Sequence, residues 1–446
     1  MKRNMIIALA LFTMFQAHAQ QLLSLDEVKQ RALEYNMATR SADNAIHQAE
    51  EKKKEAFTKY FPQISAMGMG FRTNHEMFKE DFKVSEFVPQ PVLSGLPSNI
   101  VPMIPNEVSV GMLDRGIGAG VTAMQPVFMG GRVVNTNKLA KINIEAGHLQ
   151  KEVTANTVSL TAEQYYWQII TLKEKRKTLD AIGEMLAQYE KDANMAVKAG
   201  VGMRNDLLAV QLKQNGVESS KLKLDNALKL AKMALAQYIG MDGEEIDVAS
   251  SADPSQMPPY PMIKANHDEA VAITPEYRLL EKNVAATTLQ RKLEMGKNLP
   301  SVGVGVGYDY YKMDGRFENN FGAVFATVSI PISQWWGGSY AVKRKKLAEQ
   351  NAKEQLEDNT QLLKIKMQKN WNDVDDAYKQ LKLAKKSIEQ SEENLRLNRD
   401  YYQAGTVAMN DLLDAQQLYQ QSRDRYTDAY AMLQTKISEY KHSIGQ

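Results

Sequence analysis

Lys198-Ala-Gly-Val-Gly-Met-Arg-Asn-Asp-Leu-Leu-Ala-Val-Gln211 comes back 205 positions later as Gln403-Ala-Gly-Thr-Val-Ala-Met-Asn-Asp-Leu-Leu-Asp-Ala-Gln416, with seven of fourteen positions unchanged. In each copy a long helical run stops at a glycine, Gly200 or Gly405, and after a short link Asn-Asp opens a new run carrying Leu-Leu. Glycine takes the left-handed stop conformation without steric cost, and an Asn or Asp side chain accepts from free N–H groups of the following helix. Each copy therefore reads as the tip of an αα-hairpin. A repeat of about 200 residues is too long for a solenoid, so the two tips predict two fused half-molecules.

Outward from the tips the same grammar holds in both halves. From Arg132 to Lys198 there is no proline, and Leu139, Ile142, Ala146, Leu149 and Val153 step by 3, 4, 3 and 4, the spacing of a coiled-coil seam. At 1.5 Å per residue such a run is a helix about 100 Å long. The counterpart runs from Ser339 to Tyr402, with Val374, Ala377, Leu381, Ala384 and Ile388 in the same rhythm. Pro126 to Gly200 and Pro331 to Gly405 are both 74 positions, so the long helices are held to one length. Shorter helices are expected over 25–60, opened by Ser24-Leu-Asp-Glu, and over 205–239, stopped by Gly240. In the second half a helix from about His267 to Asn298 matches the first.

Between the short and long helices the period drops to two. Met67, Met69 and Phe71 alternate with small residues, as do the stretches from about Gly116 to Phe128, Val302 to Tyr310 and about Phe321 to Ser333, which predicts four strands. Pairs of glycines, Gly130-Gly131 and Gly337-Gly338, lead out of the second strand of each half. Pro62 to Pro126 is 64 positions and Pro300 to Pro331 is 31; the extra 33 fall in residues 74–113, too proline-dense for a helix or an inner strand. Strands of this length suit a bilayer crossed at a tilt, but an open edge in lipid is costly and four strands cannot close a barrel. Three copies would supply twelve strands and two would supply eight.

Composition narrows the function. The formal charge of the 446 residues is +2 and includes Lys2 and Arg3, which leaves no basic face for nucleic acid. Lys2 and Arg3, the apolar Met5 to Phe15 and Ala17-His18-Ala19 form a secretory signal peptide over 1–19, with Gln20 the first mature residue. No other run reaches the ~20 apolar residues of a spanning helix. There is no cysteine, which excludes disulfides and a lipidated N-terminus. Gly303-Val-Gly-Val-Gly307 is no phosphate loop, because the alternation continues to Tyr310 with no helix start. The six His are scattered and no catalytic motif occurs, so neither an enzyme, a metal site nor a cofactor is expected. Tyr308, Tyr310, Tyr311, Trp335 and Trp336 flank the second pair of strands as interface aromatics would. The resulting organisation is a signal peptide over 1–19, a first repeat over 20–240, a connector over 241–266 and a second repeat over 267–446.

The signal peptide, the doubled order of helix, strand, strand, long helix, tip and helix, the Gly-Gly exits and both tips together resemble the TolC family of outer-membrane efflux proteins. The most specific part is the second tip, Ala404-Gly-Thr406 to Asp411-Leu-Leu-Asp414-Ala. The resemblance covers essentially the whole mature chain. It implies a mainly α fold with a small β part, in which duplicated long-helix hairpins form a periplasmic α-barrel tunnel and four strands per chain join a twelve-stranded barrel in a homotrimer. It also implies an exit duct for efflux or type I secretion in the outer membrane of a Gram-negative bacterium, surrounded by lipid. A periplasmic adaptor would be its direct partner and an inner-membrane transporter an indirect one. By motif position Asp411 and Asp414 are similar to the family's acidic entrance rings, and Asp206 and Tyr402 to the partners that tie neighbouring hairpins at the pore constriction. Gly200, Val201, Gly405 and Thr406 become adaptor-facing tips. Where family members can carry Arg two positions after the tip glycine this chain has Val407, so a latch that is weaker or different is implied, Arg204 being one candidate for it. For Asp206 and Asp411 simple helix capping is the competing reading, and for Asp414 a solvated helix face. The rival for the whole chain is a secreted coiled-coil structural or adhesive protein without a pore.

Overall fold

Pro62 and Pro300, the breaks between helix and strand, fix how the two halves register on each other. A computed structural model describes residues 21–446 apart from 76, 98–100, 113, 251–255 and 314–316; the expected signal peptide lies outside the described residues. The first half runs β1 (Gln21–Leu23), α1 (Leu25–Tyr35), α2 (Met37–Thr58), β2 (Gln63–Arg72), β3 (Phe78–Lys83), β4 (Glu107–Met112), β5 (Arg115–Met129), α3 (Arg132–Lys198) and α4 (Arg204–Tyr238). After β6 (Ile246–Val248) the second half gives α5 (Pro275–Lys297), β7 (Ser301–Met313), β8 (Phe317–Ser329), α6 (Gln334–Gln403) and α7 (Met409–Ser443).

The 205-residue offset extends beyond the tips. α4 starts at Arg204 and α7 at Met409, and the glycines that end them, Gly240 and Gly445, lie 40 positions after the tip glycines Gly200 and Gly405. Both end glycines have positive φ, +73° and +79°. Behind them the Met241 N–H reaches the Ala236 carbonyl at 2.8 Å and the Gln446 N–H the Lys441 carbonyl at 3.0 Å, the long bond of a Schellman stop.

The leading helices are not continuous, contrary to the 25–60 and 267–298 readings. Asn36 is extended (φ −63°, ψ 137°), its side-chain oxygen accepts from the Ala38 N–H at 2.9 Å, and its amide donates to the Tyr238 carbonyl at 3.3 Å. In the second half short turns at His267–Ala270 and Val271–Ile273 stop at Thr274 (φ −69°, ψ 142°), and Pro275 starts α5. Asn36 and Thr274 both lie 26 positions before the prolines Pro62 and Pro300. The kink is thus a duplicated feature, made with a polar cap each time.

The chain divides into two compact units. One gathers residues 143–285 and 351–446 with the N-terminal segment through 49. Here β1 pairs in parallel with β6, so the 241–266 segment is more than a loose connector: Leu23, Ile246 and Val248 are buried against α3, α6 and α7. Trp371 meets Tyr440 at 5.3 Å between ring centres, and Trp167 meets Tyr430 at 5.8 Å. The buried Glu163 accepts from Trp167 Nε1 at 3.2 Å and Ser438 Oγ at 2.8 Å and pairs with Lys29 at 2.6 Å, as a buried carboxylate must. Asp247 is held by Lys173 at 3.0 Å and Lys232 at 3.1 Å.

The other unit comprises residues 50–142 and 286–350. Its centre is an antiparallel sheet in the order β2-β5-β7-β8. The expected strands are there, with β8 shifted to Phe317–Ser329 because Pro331 cannot continue a ladder. A register shift between Pro126 and Phe128 accommodates the proline inside β5. The stretch 74–113 is not wholly irregular: β3 and β4 pair antiparallel at its base, and its prolines fall between them.

Pairing sorts the side chains of this sheet onto two faces. One carries Ile64, Ile117, Val121, Val306, Val324 and Val328, all exposed and apolar. The opposite face carries the glycines of β5 and β7, and neighbouring side chains lie flat over them. A Cβ on Gly116 would stand 2.7 Å from the Phe71 ring, on Gly120 2.0 Å from Asp309 Oδ1, and on Gly305 2.7 Å from the Phe325 ring. That is the physical reason for the Val-Gly alternation. Tyr308 and Tyr310 stand on the apolar face and Tyr311 on the glycine face, so the five aromatics do not form one belt. The two Gly-Gly pairs also differ. Gly130 and Gly131 have φ of +61° and +74° and make the turn into α3, whereas Gly337 and Gly338 lie inside α6. Gly338 is small because a Cβ there would stand 2.1 Å from Asn298 Oδ1.

Candidate functional site

The repeated motif folds as two tips with one backbone plan. After α3 the Gly200 N–H donates to the Val197 carbonyl at 3.1 Å and the Val201 N–H to the Ala196 carbonyl at 3.0 Å. After α6 Gly405 donates to Tyr402 at 2.9 Å and Thr406 to Tyr401 at 2.9 Å. Both glycines are left-handed, φ +75° and +73°, which closes each helix in a Schellman stop. The Thr406 hydroxyl adds a bond to the Tyr401 carbonyl at 3.0 Å that Val201 cannot make. Val201 is 83% exposed, so the first tip ends in a bare apolar side chain.

The Asn-Asp pairs do not sit at the helix caps, as the sequence suggested, but two and three positions past them, inside the first turn. The cap residues are Met203 and Ala408, and Asp206 and Asp411 each occupy the third helical position. Asp411 Oδ2 accepts from the Ala408 N–H at 3.1 Å, the back half of a capping box. Asp206 instead lies close enough to Tyr402 for its charge to count. The Tyr402 hydroxyl is pushed above the usual phenol range, first by its own burial and then by Asp206 and Asp192. Asp414 is exposed and lies beside Lys213 of α4, whose ammonium is depressed by burial against the pull of Asp414; Lys213 Nζ also donates to Gln417 at 2.7 Å. Asp206 and Tyr402 thus come together within one chain, and Asp411 and Asp414 share the first turns of α7.

Below the tips Leu186, Val210, Met409 and Leu412 are fully buried in a separate apolar cluster. Two polar residues on the same helices escaped sequence reasoning. Gln211 donates to Glu190 at 2.8 Å, and with Gln214 holds that carboxylate below its usual range. Its counterpart Gln416 is 0% exposed with both amide atoms unpartnered. Position 395, where the repeat would put an acid matching Glu190, holds Leu395. The offset alone could have flagged that mismatch.

Among the described residues no group of His, Asp and Glu could hold a metal ion, and no helix is long and apolar enough to cross a membrane. The latter says nothing of strands.

Residues 268–441 match the family model of the outer membrane efflux proteins. No protein of curated function matches the chain by sequence. Among solved structures, CusC superposes with a TM-score of 0.76 at 14% identity, covering 97% of this chain and 96% of its own. The open-state outer-membrane channel MtrE of Neisseria gonorrhoeae gives 0.72 at 16% identity over 94% and 88%. The outer membrane protein VceC of Vibrio cholerae gives 0.70 at 13% identity over 94% and 96%. The fold is that of the outer-membrane channels. The family model lies on the second repeat, which is where the sequence likeness to the outer membrane efflux proteins is carried.

Proposed function

We propose that the chain is the outer-membrane exit duct of a tripartite efflux or type I secretion system, working as a homotrimer. The observation that carries this reading is the sheet: among the described residues its outer strands β2 and β8 each have only one partner strand, and one of its faces is apolar from strand to strand. Unpaired backbone groups in lipid cost several kcal/mol each, so β8 of one copy must join β2 of the next until the wall closes. Closure with eight strands leaves an interior that side chains fill. Twelve strands from three copies would instead leave an open lumen, as a duct needs. A groove of about 740 Å³ opens beside the glycine face, between strand and helix residues such as Gln63, Arg132 and Thr327.

In this reading residues 1–19 direct export, and the helical unit forms the periplasmic tunnel. Apolar side chains left bare on α4 and α6, such as Leu212, Leu222, Ile365 and Leu383, become contacts between copies. Asp206, Tyr402, Asp411 and Asp414 form the constriction. Gly200, Val201, Gly405 and Thr406 face a periplasmic adaptor, which links the duct to an inner-membrane transporter. A poreless coiled-coil protein would leave the apolar sheet face without a role. The test is reconstitution in planar bilayers: the purified protein is expected to give discrete ion-conducting steps. Replacing Asp411 and Asp414 with Asn, which keeps an acceptor for the Ala408 N–H, should reduce cation preference. Wild-type protein that inserts but never conducts would refute the duct, and unchanged selectivity in the variant would remove both residues from the constriction.

A further inference from the structure

The apolar face of the sheet ends in a row of charge. Arg72 on β2 stands directly opposite Arg115 on β5, and Lys312 on β7 stands opposite Ile117, one outward-facing position along from Arg115. Parity puts all three side chains on the same face as Ile64, Ile117 and Val306. Like charges directly opposite one another destabilise a strand pair. Two acids lie nearby: Asp114 Oδ1 is 3.9 Å from Arg115 Nε, and Glu318 on β8 pairs with Lys312 at 2.7 Å while also accepting from Tyr310 at 3.1 Å. The Arg115 side chain is 63% exposed and Lys312 41%.

Position along the strand identifies what such a row meets. From Ile64 to Arg72 is eight residues, about 26 Å of strand, close to the height of a barrel's apolar band. The row lies at the ends of β2, β5 and β7 away from their helices, because α2 leads into the start of β2, β5 runs on into α3, and α5 leads into the start of β7. If the sheet is the wall of an outer-membrane barrel, this is the outer leaflet at headgroup depth.

We infer that Arg72 and Arg115, with Lys312 beside them, form a binding site for the phosphate groups of an outer-leaflet glycolipid. Planar guanidinium forks match the oxygens of a phosphate bidentately, which two lysines would not do. An anion held between them removes the cross-strand repulsion. The inference rests on the barrel reading but can fail separately from it.

The test uses the detergent-extracted oligomer, stripped of lipid and then incubated with bisphosphorylated lipid A, its dephosphorylated form or neither. Retained lipid is counted by native mass spectrometry. Wild type is expected to retain the phosphorylated lipid roughly tenfold better than the dephosphorylated one, and the Arg72→Ser/Arg115→Ser variant to lose that preference. Equal retention of the two lipids by wild type would overturn the inference whatever the variant does. So would undiminished preference in a variant that still assembles, or displacement of the lipid by millimolar inorganic phosphate, which would make this a free-phosphate site. Failure of the wild-type chain to form an oligomer would instead count against the barrel itself.

Discussion

Single residues decide how close the backbone segments of this molecule can come. A Cβ on Gly130 would lie 2.2 Å from the Gly296 carbonyl oxygen, and one on Gly296 would lie 2.5 Å from that of Gly130. Backbone cannot step aside as a side-chain tip can, so Gly130→Ala and Gly296→Ala should each sharply lower the yield of folded, heat-resistant protein. Gly216→Ala and Gly337→Ala add a methyl to open space in a helix and are expected to raise stability by up to ~1 kcal/mol in thermal unfolding. Gln416 is the opposite case. Both its amide atoms are buried without partners, so Gln416→Leu should be neutral or stabilising, by about 1 to 3 kcal/mol at most. Gln211→Leu removes a partner of Glu190 and should cost about 1 kcal/mol. Equal and negative effects from the two glutamine variants would contradict the asymmetry between the tips.

Among the elements, the kinked leading helices are the most exposed to test. Asn36 caps α2 and ties itself to the end of α4, so Asn36→Ala should cost about 1 kcal/mol and lower the unfolding midpoint of the helical unit. Acid should act on the same unit through His442. Burial, then the charge of Lys29, holds its imidazole below the usual range, against the pull of Glu163 and Glu276. A depressed folded pKa means that the unfolded chain takes up the proton first. Stability is therefore full above about pH 6.5 and falls as pH drops through the window beneath it. His442→Gln should flatten that fall, measured as unfolding midpoint against pH.

The kink was hard to read from sequence because Asn36 interrupts no proline-free run and its reward, the Tyr238 carbonyl, is 202 positions away. The tips were legible because Gly200 and Gly405 are local signals, needing only their own preceding turn. The strands were legible to within a few residues for the same reason. The pairing of β1 with β6, two stretches of three residues each, was not, since nothing in Gln21–Leu23 specifies Ile246–Val248. At the candidate constriction, the sequence supplied Asp206 and Tyr402 but not Lys213 beside Asp414, because that neighbour comes from the packing of α7 on α4.

For the whole molecule, one feature of the sheet organises the rest. Among the described residues, four strands with an apolar face, a glycine face and two outer strands lacking a second partner form an open sheet, which the proposed duct uses as a segment of wall. In the proposed duct the doubled helical hairpins form the tunnel, and their bare leucines form the seams between copies. In the duct we propose, function follows from assembly, because no pore exists until copies meet. With no cysteine in the chain, single cysteines can report on that assembly without interference. Val306→Cys on the apolar face should resist a charged, membrane-impermeant thiol reagent in intact cells, and Asp309→Cys on the glycine face should react; the reverse pattern would turn the wall inside out. The most direct measurement is the number of chains in the detergent-extracted oligomer, by native mass spectrometry. Three chains per particle is the expected result, and a stable particle of one chain, with its strands still folded, would contradict the account at its centre.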